Sequence, residues 1–204
     1  MTRNNPEKGS TIKVEPFRYK KDIKLLKSYL QNKVFDTCLF AIGINTNLRA
    51  SDILNLKVGQ VKNFPVPKSA VEMPEVHIRE KKTKKLRRIS LNSESVQAIN
   101  DLLKSSRGGP EKDDDAFLFK SIRRSSPIST SSFHRKVKTW ARECNIKGNY
   151  GTHSLRKTFG YHQRKNGVDI PTLMVMFNHR SQQQTLDYLC IQPEEIKNVY
   201  WNGL

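Results

Sequence analysis

The chain has 204 residues, enough for one domain that buries roughly 70% of its unfolded surface with no metal or disulfide to hold it. Its 37 Lys and Arg against 19 Asp and Glu give a net charge of +18, which costs stability by self-repulsion unless a polyanion neutralises it, so nucleic acid is the expected partner. Three widely spaced cysteines, a polar N-terminus and a longest apolar run too short for a bilayer weigh against a secreted or membrane protein and predict a cytoplasmic one.

Residues 1–15 read as a flexible leader and 16–204 as one domain. Ile23, Leu26 and Leu30 have helical spacing. The next helix, about Val34 to Ile44, is apolar on nearly every side, which puts it at the centre of the core. A short helix carrying Ile53, Leu54 and Leu56 follows, with Ser51 or the Asn47 region as its cap. The proline-rich NFPVPKSAVEMP is a loop. EVHIRE and LRRISL alternate and read as the two strands of a hairpin, with the lysines of KKTKK between them. Helix is predicted again from Ser93, as N-cap, to Lys104. SSRGGPEKDDD is a loop and AFLFKS a short extended piece. A helix from Ser129 or Thr130 to Cys144 turns Phe133, Val137 and Trp140 inward. Helices at about 152–166, 170–178, 181–190 and 193–201 complete a mainly α fold with one small antiparallel β-sheet, an α+β domain.

Four stretches carry residue types suited to chemistry on phosphate. Arg49 in LRASD stands three residues before Asp52, whose carboxylate is placed to orient the guanidinium. REKKTKKLRR, Arg79 to Arg88, holds seven basic residues in ten. At a hairpin tip, it reaches toward a DNA groove. In THSLR, His153 and Arg156 share a helix face and pair a titratable imidazole with a phosphate-clamping fork. In NHRSQQQTLDYL, Tyr188 follows His179 by nine residues. A tyrosine hydroxyl can attack phosphorus and form a phosphotyrosine, but with a pKa near 10 it needs positive charge or a base beside it. Taken singly these are ordinary: H-x-x-R is common, Arg49 and Asp52 suit a surface ion pair, and there are six tyrosines. No CxxC or HExxH spacing suggests zinc.

Taken in order, the four stretches resemble the catalytic domain of the tyrosine recombinases, the phage integrase family. NTNLRASDILNL is similar to its T-G-L-R-x-S-E-L-x-x-L motif, HSLRKTF to H-x-L-R-H-T-F, and FNHRSQQQTLDYL to L-G-H-x-S-x-x-x-T-x-x-Y. The resemblance covers about Tyr19 to Tyr200 and implies Arg49, His153, Arg156, His179 and Tyr188 as catalytic residues. Aligning the ISL end of KKTKKLRRISL with the family's hairpin strand makes Lys82 the sixth. Asp52 is then a supporting residue, and Lys81, Lys84, Lys85 and Arg87 are DNA contacts. Asn47 and Asn178 stand where the family has glycine; asparagine tolerates a left-handed backbone, so both read as conservative in shape. Lys157 replaces a frequent histidine and is expected to matter little.

The resemblance implies site-specific recombination through a 3′-phosphotyrosine, with no metal and no cofactor. It also implies double-stranded DNA as the partner and a tetramer on that DNA, formed by exchange of the C-terminal helix, with Glu194 to Trp201 as the candidate segment and Ile196, Val199, Tyr200 and Trp201 as its apolar contacts. Fewer than twenty residues precede the catalytic region, so no N-terminal core-binding domain is expected. Competing readings are a type IB topoisomerase, which has a different spacing around the last histidine and tyrosine, and a DNA-binding regulator that has lost cleavage. A metal-dependent nuclease on Asp113, Asp114 and Asp115 is disfavoured, because three adjacent acids cannot all face one ion.

Overall fold

A computed structural model of the chain describes residues 14–81, 83–105, 109–110, 113–191, 195, 197, 200 and 201. The fold is mainly helical with one two-stranded antiparallel sheet, as the periodicity predicts. In chain order the elements are α1 (Lys20–Leu30), α2 (Val34–Asn45), α3 (Ala50–Leu54), α4 (Val58–Val61), β1 (Glu75–Arg79), β2 (Leu86–Ser90), α5 (Ser93–Lys104), α6 (Thr130–Glu143), α7 (Thr152–Lys165), α8 (Ile170–Phe177) and α9 (Gln182–Leu189).

Helix α2 is the hub. Every residue from Cys38 to Ile44 is buried, because α5, α7, α1 and α3 cover it on different sides. Gly43 allows α7 to come this close: a Cβ there would stand 2.6 Å from Leu155 Cδ1. The partly buried Asp36 on α2 accepts bonds from Lys136 Nζ (2.7 Å) and Trp140 Nε1 (3.0 Å), which ties α6 to the hub.

Local chemistry explains where the helices start. Ser129 caps α6 and Ser181 caps α9, each accepting from the backbone three residues on. Two expected caps are displaced by one or more positions. Asn92, not Ser93, caps α5, accepting from the Ser95 amide. Arg49 occupies the N-cap of α3 with no side-chain cap bond, so neither Ser51 nor Asn47 serves there. The AFLFKS piece forms only isolated bridges, Lys57 to Phe117 and Lys120 to Pro127.

The strands pair from Glu75↔Ser90 to Arg79↔Leu86 and leave the lysine-rich tip at 80–85. Of the expected leader, residues 1–13 lie outside the described residues, whereas Glu15 donates its backbone N–H to Asn149 O at 2.9 Å. Most of the expected last helix, including Glu194, Ile196 and Val199, also lies outside them.

Two apolar clusters form, and their sizes differ greatly. The main core runs from Phe17 through α2 and α5 to Leu155. A satellite of four buried residues, Phe159, Leu173, Phe177 and Leu189, joins α7, α8 and α9, with Tyr188 packed at its edge. Gly160 permits this packing, since a Cβ there would come 2.6 Å from Phe177 Cζ. Among the described residues no helix is long and apolar enough to cross a membrane.

Candidate active site

Helix α7 begins at Thr152, so His153 and Arg156 both lie in its first turns, on the side that faces the end of α8. Arg156 is buried, and its Nη2 donates to the Phe177 carbonyl at 2.8 Å. The last carbonyls of a helix have no partner within it and carry partial negative charge, so a guanidinium there is favourable. Arg87 acts in the same way one residue earlier, donating from Nη2 to Met176 O at 2.6 Å. Asn47 Nδ2 donates to the same Met176 oxygen.

The end of α8 is closed by Asn178 in the left-handed region, φ 53°, as expected of an asparagine replacing glycine. This turn throws His179 back over the helix end, where its amide donates to Met174 O at 3.0 Å. The His179 ring stacks on Phe177 with centroids 5.2 Å apart, and its Nδ1 lies 3.0 Å from the Thr185 hydroxyl of α9. For Nε2–H to face the site as a donor, that hydroxyl must donate to Nδ1. Asn47 does not share the left-handed backbone expected of it. Its side chain accounts for it instead, accepting from Arg87 Nη2 at 2.9 Å through Oδ1.

Tyr188 projects from α9 into this corner. Its ring packs against Phe177 and edge-on to His179, with centroids 5.2 and 5.3 Å away, and the Arg156 guanidinium carbon lies 5.7 Å from its centroid. Its hydroxyl is 3.5 Å from His153 Nδ1. Lys157 is more than the neutral replacement expected. It is buried, donates to Val14 O at 3.1 Å, and holds its Nζ 5.4 Å from the Tyr188 ring centre and 3.3 Å from Cys190 Sγ.

Arg49 enters from the start of α3. Its Nη1 forms an ion pair with Glu80 Oε1 at 2.9 Å. Glu80, just after β1, is fully buried and also takes Arg87 Nη1 at 2.7 Å, Thr83 Oγ1 at 2.5 Å and Asn178 Nδ2 at 3.1 Å. Two expectations change here. Asp52 is buried but accepts from the Lys81 amide at 3.0 Å, so it orients the hairpin backbone, and Glu80 is the acid on the Arg49 guanidinium. Arg87 is turned inward, 13% exposed and bonded on both nitrogens, so it braces the site where a DNA contact was expected. The hairpin alternation decides this, since Arg87 lies on the face opposite exposed Leu86 and Arg88. Lys81, Lys84 and Lys85 are exposed at the tip, and Lys85 Nζ reaches Asn178 Oδ1 at 3.3 Å. Lys82 lies outside the described residues.

The electrostatics follow from this crowd of cations. Burial pushes the Tyr188 hydroxyl up to about 12, against a smaller downward pull from Arg156 and Arg49. Burial and then Arg156 and Arg49 lower His179 to about 4, so it is neutral at pH 7. His153 is lowered in the same direction, by desolvation and then by Arg156, Lys157 and Arg49. Desolvation brings Arg156 down to about 10, still charged at neutral pH. Burial alone would raise the Glu80 carboxyl; the bonds from Thr83 and Arg87, the Arg49 charge and Asn178 outweigh it and hold it at about 2. The corner therefore holds the Arg49 and Arg156 guanidiniums, two neutral imidazoles and one tyrosine hydroxyl. That set suits a phosphate that receives an oxygen nucleophile.

Known proteins place the fold in context. The phage integrase family model matches residues 17–195. The chain is 36% identical over 188 residues to a probable integrase/recombinase, YoeC of Bacillus subtilis, covering 92% of this chain and 95% of that protein. It is 26% identical to the tyrosine recombinase XerC of Chlamydia trachomatis, over 91% of this chain but only 56% of that one. The fold also matches the crystal structure of XerA recombinase, with a TM-score of 0.74, 21% identity, 95% of this chain and 66% of that one. The chain thus spans nearly all of YoeC and about half of XerC. Resting on the matched model and on a 36% identical relative aligned almost end to end, this chain belongs to the phage integrase family, the tyrosine recombinases, which are site-specific DNA strand transferases.

Proposed function

We propose that the chain cleaves and rejoins duplex DNA with Tyr188 as nucleophile. The observation that carries this is the tyrosine hydroxyl 3.5 Å from a neutral His153, with the Arg156 guanidinium beside its ring. In the step proposed, Tyr188 Oη bonds to phosphorus and the bond from phosphorus to the 5′ oxygen breaks. The protein is left on the 3′ phosphate and a 5′ hydroxyl is freed. His153 takes the phenolic proton, and Lys82 gives one to the departing oxygen. Arg49 and Arg156 bind the two non-bridging oxygens, with the His179 N–H as a further donor. Such preorganised donors form the largest contribution in many enzymes. The raised Tyr188 hydroxyl fits this order of events, because the proton leaves only when a phosphate is present to receive the attack.

Lys81, Lys84 and Lys85 supply phosphate contacts from the hairpin tip, and the assembly on DNA is a tetramer. Support for exchange of the C-terminal segment is its exposed end. Glu195 is clasped by Arg164 (2.5 Å) and Lys165 (2.8 Å) on α7, while Tyr200 and Trp201 are 85% and 88% exposed. Two exposed aromatic rings past a fixed point suit a neighbouring subunit. Among the described residues no disulfide joins Cys38, Cys144 and Cys190, in keeping with work inside the cell.

The test is a covalent trap. The protein is mixed in EDTA with a pool of nicked, random-sequence duplexes, and an SDS-resistant protein–DNA band is sought beside Tyr188→Phe. A band in the parent that the variant lacks is expected. A band surviving in Tyr188→Phe refutes the nucleophile. No band in either, with salt-sensitive DNA binding intact, favours a non-cleaving DNA-binding protein.

A further inference from the structure

Glu80 takes no part in the chemistry proposed for Tyr188, yet it holds together the segments that carry it. Its Oε1 meets Arg49 and Arg87, and its Oε2 meets Thr83 and Asn178. These partners come from three places: the start of α3, the hairpin that bears Lys82, and the turn that closes α8 next to His179. Both departures from the family's glycines enter the same network. Asn178 donates to Glu80, and Asn47 links Arg87 to the Met176 carbonyl. A glycine at either position has no side chain with which to do this.

We propose that Glu80 is a positioning residue for phosphoryl transfer, a buried carboxylate that sets Arg49 against the His179 turn through Arg87, Asn47 and Asn178. The physical need is clear from the charges. Arg49 and Arg87 both act on Arg156, which is itself buried, so three guanidiniums repel one another until an anion arrives. Glu80 is that anion, built in. It leaves one net positive charge on the Arg49–Arg87–Glu80 group, and Arg49 is in place before DNA binds. The identity of the bound phosphate rests on the strand-transfer reading; the tie between segments does not.

The experiment therefore has two arms, using the parent, Glu80→Gln, Glu80→Asp, Asn178→Gly and the Glu80→Gln/Asn178→Gly double variant. The first arm is amide hydrogen exchange without DNA. Loss of the charge-assisted bonds is expected to speed exchange in segments 46–50 and 177–180 about tenfold or more in Glu80→Gln. Unchanged exchange at 177–180 overturns the tie, whatever the DNA does.

The second arm is single-turnover cleavage of the duplexes recovered from the covalent trap. Glu80→Gln is expected to slow cleavage about a hundredfold with half-saturation near the parental value, because affinity comes from many phosphate contacts. Glu80→Asp, which keeps the charge, recovers part of the rate. Asn178→Gly loses about tenfold, and the double variant is no slower than Glu80→Gln, since both changes cut one link. Fully additive losses, or folded Glu80→Gln cleaving at the parental rate, overturn the proposal. If the parent forms no adduct, the strand-transfer reading falls and the exchange arm alone decides the tie.

Discussion

The Tyr188 hydroxyl and His153 Nδ1 stand 3.5 Å apart, although 35 residues of chain separate them. The distance is at the outer edge of a hydrogen bond, as is common before a substrate tightens a site. Because burial and neighbouring cations lower the imidazole from its ordinary 6.5, His153 is neutral and able to accept a proton throughout the physiological range. His153→Ala is expected to slow adduct formation by about a hundredfold to ten-thousandfold, the usual worth of a general base. The parental rate should fall on the acid side only below pH 6.5, and that limb should vanish in the variant. A limb unchanged in His153→Ala would assign the proton to another group.

Arg156 has two duties, the phosphate contact proposed above and the bond to the Phe177 carbonyl. Arg156→Lys keeps a charge but loses the fork, so cleavage should drop about a hundredfold to a thousandfold, in the range for one lost transition-state donor. It should also lower the melting temperature, since it leaves a buried carbonyl without its partner. His179→Ala removes a donor with far less effect on folding. Comparing the two by calorimetry and single-turnover kinetics separates the two duties of Arg156.

Glu80 makes stability depend on pH with a definite sign. Its folded value, about 2, lies below the ordinary 4.5, so the unfolded chain binds the proton more tightly. The stabilisation is fully present above about pH 4.5 and is lost as the pH falls toward 2. Its size is about 3 kcal/mol from the difference between the two values. Urea unfolding between pH 6 and 2.5 should show this slope in the parent, and Glu80→Gln should flatten it. Equal slopes would mean that the carboxylate is not held down.

The motifs were legible in the sequence because chemistry fixes their residue types and spacing. His153 and Arg156 share a helix face, and Asn178 sits in the left-handed turn that its replacement of glycine suggests. Helix α6 was legible from its amphipathic spacing and α2 from its nearly unbroken apolar run. Glu80 was not. Spacing along the chain offered Asp52, three residues from Arg49, as its partner, whereas the hairpin folds over and delivers Glu80 from 31 positions away. Arg87 was misread for a related reason: it sits in a run of seven basic residues, and only strand pairing shows which of them turn inward. The signal that would have found Glu80 is a lone acid inside that basic run.

The same distinction predicts how salt acts on DNA binding. Lys81, Lys84 and Lys85 are exposed and are the phosphate contacts proposed above, so changing all three to Ala should reduce the slope of log K against log salt by about 2 to 3. Arg87→Ala should leave that slope nearly unchanged and lower stability instead, since it takes one buried partner from Glu80 and one from the Met176 carbonyl. Fluorescence anisotropy on a random duplex at several salt concentrations reads the first, and thermal unfolding the second. A slope that falls by about one unit in Arg87→Ala would place its guanidinium on the DNA after all.

Tyr188, the proposed nucleophile, is anchored by the smaller of the two apolar clusters. Leu189, one residue after Tyr188, is buried, and among the described residues the other buried members of that cluster are Phe159, Leu173 and Phe177. A region with few buried contacts opens at lower free energy than the main core. Leu189→Ala removes about 2–5 kcal/mol of packing, which is comparable with all the local stability such a cluster provides. The variant is therefore expected to release α9 while α2 and α5 stay folded. Amide exchange should rise across 182–189 and stay slow across 38–44, and cleavage should fall because Tyr188 leaves His153. If exchange rises equally in both segments, α9 unfolds with the whole domain, and no independent motion delivers the tyrosine.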